Sequence, residues 1–382
     1  MMKSGTPRVL RTLNEGAVLD ALFRHGPMTR PELEHITGLS KPAAARLLLR
    51  VEEAGVVVRD GERASRSGPP AQVWRANPRA ALVAGITVTA ERIAAEVCDL
   101  DGTLLGEASA ENSVTDAAQI APALRGLLTQ ALAGTDADVA QVRDVTLGVP
   151  GVIDPLPGVL RHSSRLPAWV GVDVIGLISA ELPGTTVYTA NDVGLVLIAE
   201  AEFGAARDAA SVVLVWVGSG IKAAFLRDGE LMLGPHGSAG EIGSVIVPAF
   251  DTVPDRSTER TRAVPGGGVL LEQLLQPSAL QGLELPAIAD RLAVAASSAA
   301  ALLDPERVVI AGSLSDAYGT ALAEAVQERL GFLPHDRPDV RCGELGARAQ
   351  VRGAVCLSQR SARARLVGAG SLADVVLPVS AL

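Results

Sequence analysis

VVLVWVGSGIKAAFLRDGELMLGPHGSAGEIGSVIV, Val212 to Val247, is the stretch from which the fold is read. Val212 to Val217 is an apolar run long enough for a buried strand. Gly218-Ser219-Gly220 turns the chain, and Ile221 to Leu226 returns as a second strand. Arg227-Asp228-Gly229-Glu230 carries the Asp-Gly pair that favours a type I′ hairpin, so Leu231 to Leu233 is a third, short strand. His236-Gly237-Ser238-Ala239-Gly240-Glu241-Ile242-Gly243 follows; its small residues let backbone approach a ligand and present one carboxylate, Glu241.

The same order occurs earlier in the chain. Leu82 to Val88 and Arg92 to Asp99 read as strands, Asp101-Gly102 as a turn, and Thr103 to Leu105 as a third strand. A repeat at about 130 residues indicates two related lobes. Each lobe then alternates helices and strands, as α/β folds do. The first continues with a helix near Asp116 to Ala133, the strand Val142 to Val149, a loop to Trp169 and a helix near Val172 to Glu181. The second continues with helices near Val269 to Leu275, Ala287 to Leu303 and Thr320 to Leu330, and the strand Val308 to Ile310. Leu345 to Gln359 reads as a last helix, and the chain after Arg360 is left unplaced.

Ahead of the lobes, residues 14–55 read as three helices. Asn14 can cap the first; Thr29-Arg30-Pro31-Glu32 is a capping box opening a short second helix that stops at Gly38. Ser40 can cap the third, closed by Gly55. Val56 to Arg59 and Ala71 to Arg75 suit the strands of a wing, with a basic loop between them. Short helix, Gly-containing turn and longer basic helix form a helix-turn-helix pattern. Asn77-Pro78 marks the boundary. The expected domains are a winged helix-turn-helix at 1–78, lobes at 79–190 and 191–360, the last helix returning to the first lobe, and a tail at 361–382.

Charge divides at the same boundary. Residues 1–79 hold 13 Lys/Arg against 8 Asp/Glu, while residues 80–382 hold 21 against 35. A basic head on an acidic body predicts that the head alone meets a polyanion. No run of 18 apolar residues argues for a membrane span, and MMKSGTPRVLRTLNEG lacks a signal-peptide core, so a cytoplasmic location is expected. Cys98, Cys342 and Cys356 match neither disulfide nor zinc spacing. Lysine occurs only at positions 3, 41 and 222.

Four segments narrow the architecture. GVPGVIDPLPGVLRHSSRLPAW (148–169), TANDVGLVLIAEAEFG (189–204), GSGIKAAFLRDGELMLGPHGSAGEIG (218–243) and LLDPERVVIAGSL (302–314) resemble, in order and spacing, the ROK family of sugar kinases and sugar-responsive repressors. The resemblance implies an actin-like, two-lobed body, here behind a winged helix-turn-helix. It places effector contacts at Asn191, Asp192, Glu241 and Glu272, with Arg165 and Ser244 where the family has Asn and a zinc-linked His. The departures bear on chemistry. The family's first phosphate hairpin, Asp-x-Gly-Gly-Thr, is Thr87-Val88-Thr89-Ala90-Glu91 here, and the second ends in Lys222 instead of glycine. Side chains crowd the backbone where phosphate oxygens must approach. PDRSTERTRAVPGGGVLLEQL (254–274) has no cysteine, so no structural zinc and no other cofactor is expected.

The reading is a DNA-binding regulator of repressor type, not an enzyme, controlled by a sugar-type effector bound between the lobes. Its partners are a double-stranded operator and a second copy of itself, as a homodimer or tetramer. Ser40, Lys41, Pro42, Ala45, Arg46 and Arg50 would face the major groove, Ala43 to Ala45 would be small enough to meet a thymine methyl, and Arg63 and Arg66 in the wing would enter the minor groove. Two alternatives stand beside it: a scaffold body without a ligand, and an ATP-dependent sugar kinase with Asp192 as base. Several residues also have plainer readings. Asp192 or Glu241 can cap a helix, Lys222 can be a solvated strand-end lysine, and Trp169 can be packing. Arg165 either pairs with a protein carboxylate or, if it faces the cleft, favours a sugar acid or sugar phosphate.

Overall fold

The computed structural model describes residues 7–64, 69–154, 158–218, 220–247, 268–332 and 337–366; Arg66 lies outside them, as do residues 248–267 and the chain beyond Leu366. The head comprises α1 (Pro7–His25), β1 (Met28–Thr29), α2 (Arg30–Thr37), α3 (Lys41–Glu53), β2 (Val57–Arg63) and β3 (Ala71–Ala76). Asn14 falls inside α1, so it is not a cap; the helix starts earlier than the sequence pattern suggested. The Thr29 N–H and hydroxyl both donate to Glu32 Oε2, at 2.7 and 2.8 Å, which fixes the start of α2. Gly38 ends α2 in the left-handed region, φ 70°, where glycine carries no Cβ penalty. Ser40 sits at the N-cap of α3 with its side chain making no cap bond. The short β1, invisible to periodicity at two residues, joins β3 and β2 in one antiparallel sheet. Leu19, Leu22, Leu33, Leu47, Leu48 and Trp74 close the core of this winged helix.

The first lobe contains β4 (Leu82–Val88), β5 (Arg92–Cys98), β6 (Leu104–Glu111), α4 (Ile120–Ala131), β7 (Val142–Val149), the pair β8 (Val152–Ile153) and β9 (Leu160–His162), α5 (Val174–Glu181) and β10 (Thr186–Asn191). The second contains α6 (Asp192–Phe203), β11 (Ser211–Val217), β12 (Ile221–Arg227), β13 (Glu230–Leu231), β14 (Ile246–Val247), β15 (Val269–Leu270), α7 (Leu271–Leu275), α8 (Pro277–Leu280), α9 (Leu285–Leu303), β16 (Arg307–Ala311), α10 (Ser313–Tyr318), α11 (Thr320–Arg329), β17 (Asp339–Cys342) and α12 (Ala349–Leu366).

The repeat is visible in the sheets. One has the order β10-β7-β4-β5-β6 and the other β13-β12-β11-β16-β17. In each, three successive strands pair antiparallel, and two later strands add in parallel beside the first of them. Asp228 and Gly229 have φ of 53° and 81°, as a type I′ hairpin requires. β13 is shorter than expected and β6 longer; β6 is an edge strand in which only small residues, Ala108 and Ala110, alternate with exposed Glu107, Ser109 and Glu111, a weak apolar signal.

Helices α4 and α5 cover the outer face of the first sheet, and α7, α9 and α11 that of the second. α9 is long and apolar enough to cross a membrane by composition alone, yet Ile288, Leu292 and Ala296 lie in the second-lobe core. Its buried Arg291 donates to the Leu274 and Ala279 carbonyls at 2.9 and 2.8 Å. Between the two sheets run α6 and α12. α12 extends to Leu366, so residues placed in the unassigned tail are helical. Those residues hold the first lobe: Ser361 donates to the Tyr188 hydroxyl at 2.8 Å, Arg363 donates to the Leu100 carbonyl, and Arg365 pairs with the fully buried Asp144. Phe23 of the head packs with Leu366 and with the Ala81, Val83 and Leu100 patch, and the Arg363 guanidinium lies 5.0 Å from its ring centroid.

Candidate functional site

Two places in the molecule gather the residues singled out in the sequence. The first is the exposed side of α3. Amphipathic spacing buries Ala44, Leu47, Leu48 and Val51 and leaves Lys41, Pro42, Arg46, Leu49 and Arg50 outside. Ala44, 1 % exposed, is therefore a core residue and cannot meet a thymine methyl; Ala43 and Ala45 are half-buried. Arg50 is tied to Glu15 at 2.9 Å. Arg63 is drawn back onto α2, donating to Glu32 at 2.7 Å and to the Pro27 carbonyl at 3.2 Å. The Thr29 N–H, and then the Arg63 charge, hold the Glu32 carboxyl below its ordinary pKa. Arg24, Arg30, Arg59, Arg75 and Arg79 also have carboxylate partners. Among the head's described Lys and Arg side chains, Lys41 and Arg46 alone have none.

The second place is a cleft where β10 and α6 meet the second lobe. It is lined by Asn191, Gly194, Lys222, Phe225, Leu231 and the 237–241 loop. That loop lies along β12, with the Ala223 N–H donating to Gly240 O at 2.7 Å. Gly240 has φ 97°, and a Cβ there would stand 2.0 Å from Ala223 O, so only glycine permits this approach. It delivers Glu241 to Lys222, whose Nζ is 3.3 Å from Glu241 Oε1.

Asp192 opens α6 beside this pair. Burial pushes its carboxyl above the ordinary range, the Lys222 charge and the Val193 N–H oppose that, and Glu241 adds to it. Asn191 is placed here too, but its amide is committed. Its Nδ2 donates to Gly151 O at 2.8 Å, and its Oδ1 accepts from the Val193 and Gly194 N–H groups at 2.9 and 3.4 Å. It thus acts as the N-cap of α6, the capping role considered for Asp192 in the sequence.

Three expected contacts lie elsewhere. Arg165 is exposed, lines no part of the cleft, and has no carboxylate partner among the described residues, so neither account of it offered by the sequence is met. Ser244 is exposed at the end of a 3₁₀ turn. Glu272 is exposed beside the β11–β12 turn, its Oε1 4.0 Å from where a Gly220 Cβ would be. Trp169 is 1 % exposed in the first-lobe core, as the packing reading requires. Lys222, read as a solvated strand-end residue, is instead part of the cleft. Its signal was its position, directly after Gly-x-Gly-Ile.

The first hairpin turn is closed to phosphate. Thr89 Oγ1 accepts from the Glu91 and Arg92 N–H groups at 3.3 and 3.0 Å, and Asn112 donates to Thr89 O at 2.6 Å. Donors that a phosphate loop aims at its anion are spent inside the turn. No cluster of three or more His, Cys, Asp or Glu suited to a metal occurs among the described residues.

The ROK family model matches residues 83–260, which take in both three-stranded repeats and the Lys222–Glu241 pair. This stretch, a little under half of the chain, is similar to the ROK family. Over 388 aligned residues it is 21 % identical to a protein named as a xylose repressor from Caldicellulosiruptor sp. strain Rt8B.4, covering 92 % of this chain and 97 % of the relative. Its fold matches the crystal structure of a ROK family transcriptional regulator homologous to E. coli Mlc, with a TM-score of 0.70, 18 % identity, and 96 % and 98 % of the two chains covered. A ROK hexokinase from Thermus thermophilus aligns with a TM-score of 0.58 at 24 % identity, over 72 % of this chain and 96 % of that one. The two-lobed body therefore has the actin-like fold of these regulator and kinase structures.

Proposed function

We propose that this protein is a DNA-binding transcriptional regulator of repressor type, whose ROK body senses a sugar in the cleft at Asp192, Lys222 and Glu241. The carrying observation is the recognition helix, where Lys41 and Arg46 have no carboxylate partner, Arg46 donating only its Nε–H to the Pro42 carbonyl, while the other described Lys and Arg side chains up to Arg79 are each paired with a carboxylate. Cationic donors not neutralised by a carboxylate, on an exposed helix face, are what phosphates and guanine edges need. Exposed Leu49, one turn on, adds an apolar surface of the kind that meets a thymine methyl. The full-length alignment with a protein named for xylose repression supports the same reading. Two copies reading a palindromic site, inside the cell, complete it.

A sugar kinase is the competing account, favoured by Asp192 beside the cleft and by the fold shared with a hexokinase. The internally bonded Thr89 turn weighs against it. Lys41→Ala and Arg46→Ala test the regulator reading by gel shift on the protein's own upstream DNA. Each should weaken binding and lower the salt slope by about 1, with the melting temperature unchanged. Wild-type affinity in both variants would refute the assignment of α3.

A further inference from the structure

Glu32 divides two tasks between its two oxygens. Oε2 accepts from the Thr29 N–H and hydroxyl at 2.7 and 2.8 Å, the capping box that starts α2. Oε1 accepts from Arg63 Nη1 at 2.7 Å, and Arg63 Nη2 donates to the Pro27 carbonyl at 3.2 Å. Arg63 is the last residue of β2, so this bond draws the wing onto the start of α2. β2 bulges between Arg59 and Glu62, with Gly61 at φ 77°, and past the bulge the wing strands are joined through Glu62–Gln72 and Arg63–Ala71. A bulge re-aims the side chains beside it. The Glu32 and Arg63 side chains are 44 % and 51 % exposed, and they line an open groove with Pro31, His35 and Ile36. Arg59, also on β2, is held differently: two bonds tie it to Glu52 and it lies over the Trp74 ring.

From this geometry we infer that Glu32 competes with DNA for Arg63: the carboxylate holds the guanidinium on α2 in the free protein, and a backbone phosphate takes it in the complex. The inference rests on the regulator reading above and adds a residue that sets its DNA affinity. An exposed ion pair is weak in water, so releasing Arg63 costs little. The arginine fork fits phosphate as it fits carboxylate, and the phosphate contact also releases a condensed counterion, which the contact to Glu32 does not. The exchange leaves the fold in place, because Oε2 goes on capping α2 after Oε1 has lost its partner. Glu32 is thus a positioning residue: it meets no DNA itself, and it lowers affinity by what the broken pair was worth.

Gel shifts over a salt series test this, with full-length wild type, Glu32→Gln, Arg63→Ala and the double variant on the upstream DNA and on unrelated DNA of equal length. Glutamine serves a capping box as glutamate does, so Glu32→Gln keeps the Thr29 bonds while removing the charge that holds Arg63. It should tighten binding about two- to fivefold, the scale of an exposed ion pair, with salt slope and melting temperature unchanged. Arg63→Ala should weaken binding to both DNAs alike and lower the salt slope by about 1; it carries the test should Glu32→Gln not fold. The double variant should bind as Arg63→Ala does, because Glu32 acts through Arg63. Four results overturn the inference and leave the regulator reading intact: no gain in Glu32→Gln, the same gain when Arg63 is absent, an unchanged slope in Arg63→Ala, or a loss confined to the upstream DNA. If wild type shifts neither DNA, the regulator reading itself falls, and the inference with it.

Discussion

Replacing Gly353 by alanine sets two opposed effects against each other. Gly353 lies inside α12, where alanine ordinarily stabilises a helix by about 1 kcal/mol. At this site, however, a Cβ would stand 1.9 Å from Leu195 O of α6, with the Leu195 carbonyl carbon and Cα at 2.6 and 3.0 Å. Ordinary carbon–oxygen contact begins near 3.4 Å, so one helix must retreat by more than an ångström. The obstacle is backbone, which cannot swing aside as a side-chain tip does. Nor can α12 retreat freely, because its other face is pressed onto β4, where Gly85 leaves no room before Val351 O. Overpacking of this kind costs about 1–3 kcal/mol, and a rigid backbone contact belongs at the upper end. The net expectation is a loss of about 1–2 kcal/mol, at roughly 2–4 °C of melting temperature per kcal/mol. Gly126→Ala is the control: Gly126 also lies inside a helix, α4, but has open space around its would-be Cβ, so it should gain about 0.5–1 kcal/mol. Scanning calorimetry of both variants decides the matter. If Gly353→Ala melts as high as Gly126→Ala, the crossing of α6 and α12 is looser than this packing implies.

Burial raises the Asp192 pKa, so its contribution to stability is complete below the ordinary carboxylate value and is lost as pH rises through the raised one. Asp192→Asn should therefore gain in melting temperature relative to wild type on going from about pH 4 to about pH 8; a flat or falling difference would show that Lys222 outweighs burial. Phe23→Ala removes the ring that joins the head to Leu366, Arg363 and the Leu100 patch. It should bring the sugar-induced change in operator affinity close to unity while leaving sugar-free DNA binding within about threefold, since intact coupling is about 5–150-fold; an undiminished response in a gel shift would point to another route. ATP consumption with a panel of sugars should not exceed a blank, and Thr89→Gly should not create it, because Lys222 still occupies the second hairpin; measurable turnover by wild type would restore the kinase account.

Much of this protein can be read without its structure. Apolar runs separated by Gly-x-Gly and Asp-Gly turns locate strands by local chemistry alone, which is why both repeats and the type I′ hairpin at Asp228-Gly229 were legible. A capping box did the same for α2, through a bond that spans three residues, and apolar spacing did so for α3. The expected grouping of Asp192 with Glu241 came from order and spacing of motifs; Glu241 lines the cleft, and Asp192, at the start of α6, lies near enough to feel its charge. What sequence could not supply was the direction of side chains and their partners far along the chain. Arg165 and Glu272 were placed by motif alignment, but the chain turns them out of the cleft. Arg63 is a wing residue in sequence and an α2 partner in space, because Glu32, 31 residues away, is the nearer charge. Ser361, Arg363 and Arg365 looked like a featureless tail, since what holds this end of α12 is the first lobe and Phe23, more than 170 residues distant for Ser361 and Tyr188. Lys222 shows the division most plainly: its position after Gly-x-Gly-Ile marked it as a departure, but only the approach of the Gly240 backbone to Ala223, which a Cβ would forbid, brings Glu241 within 3.3 Å and makes that lysine part of a site.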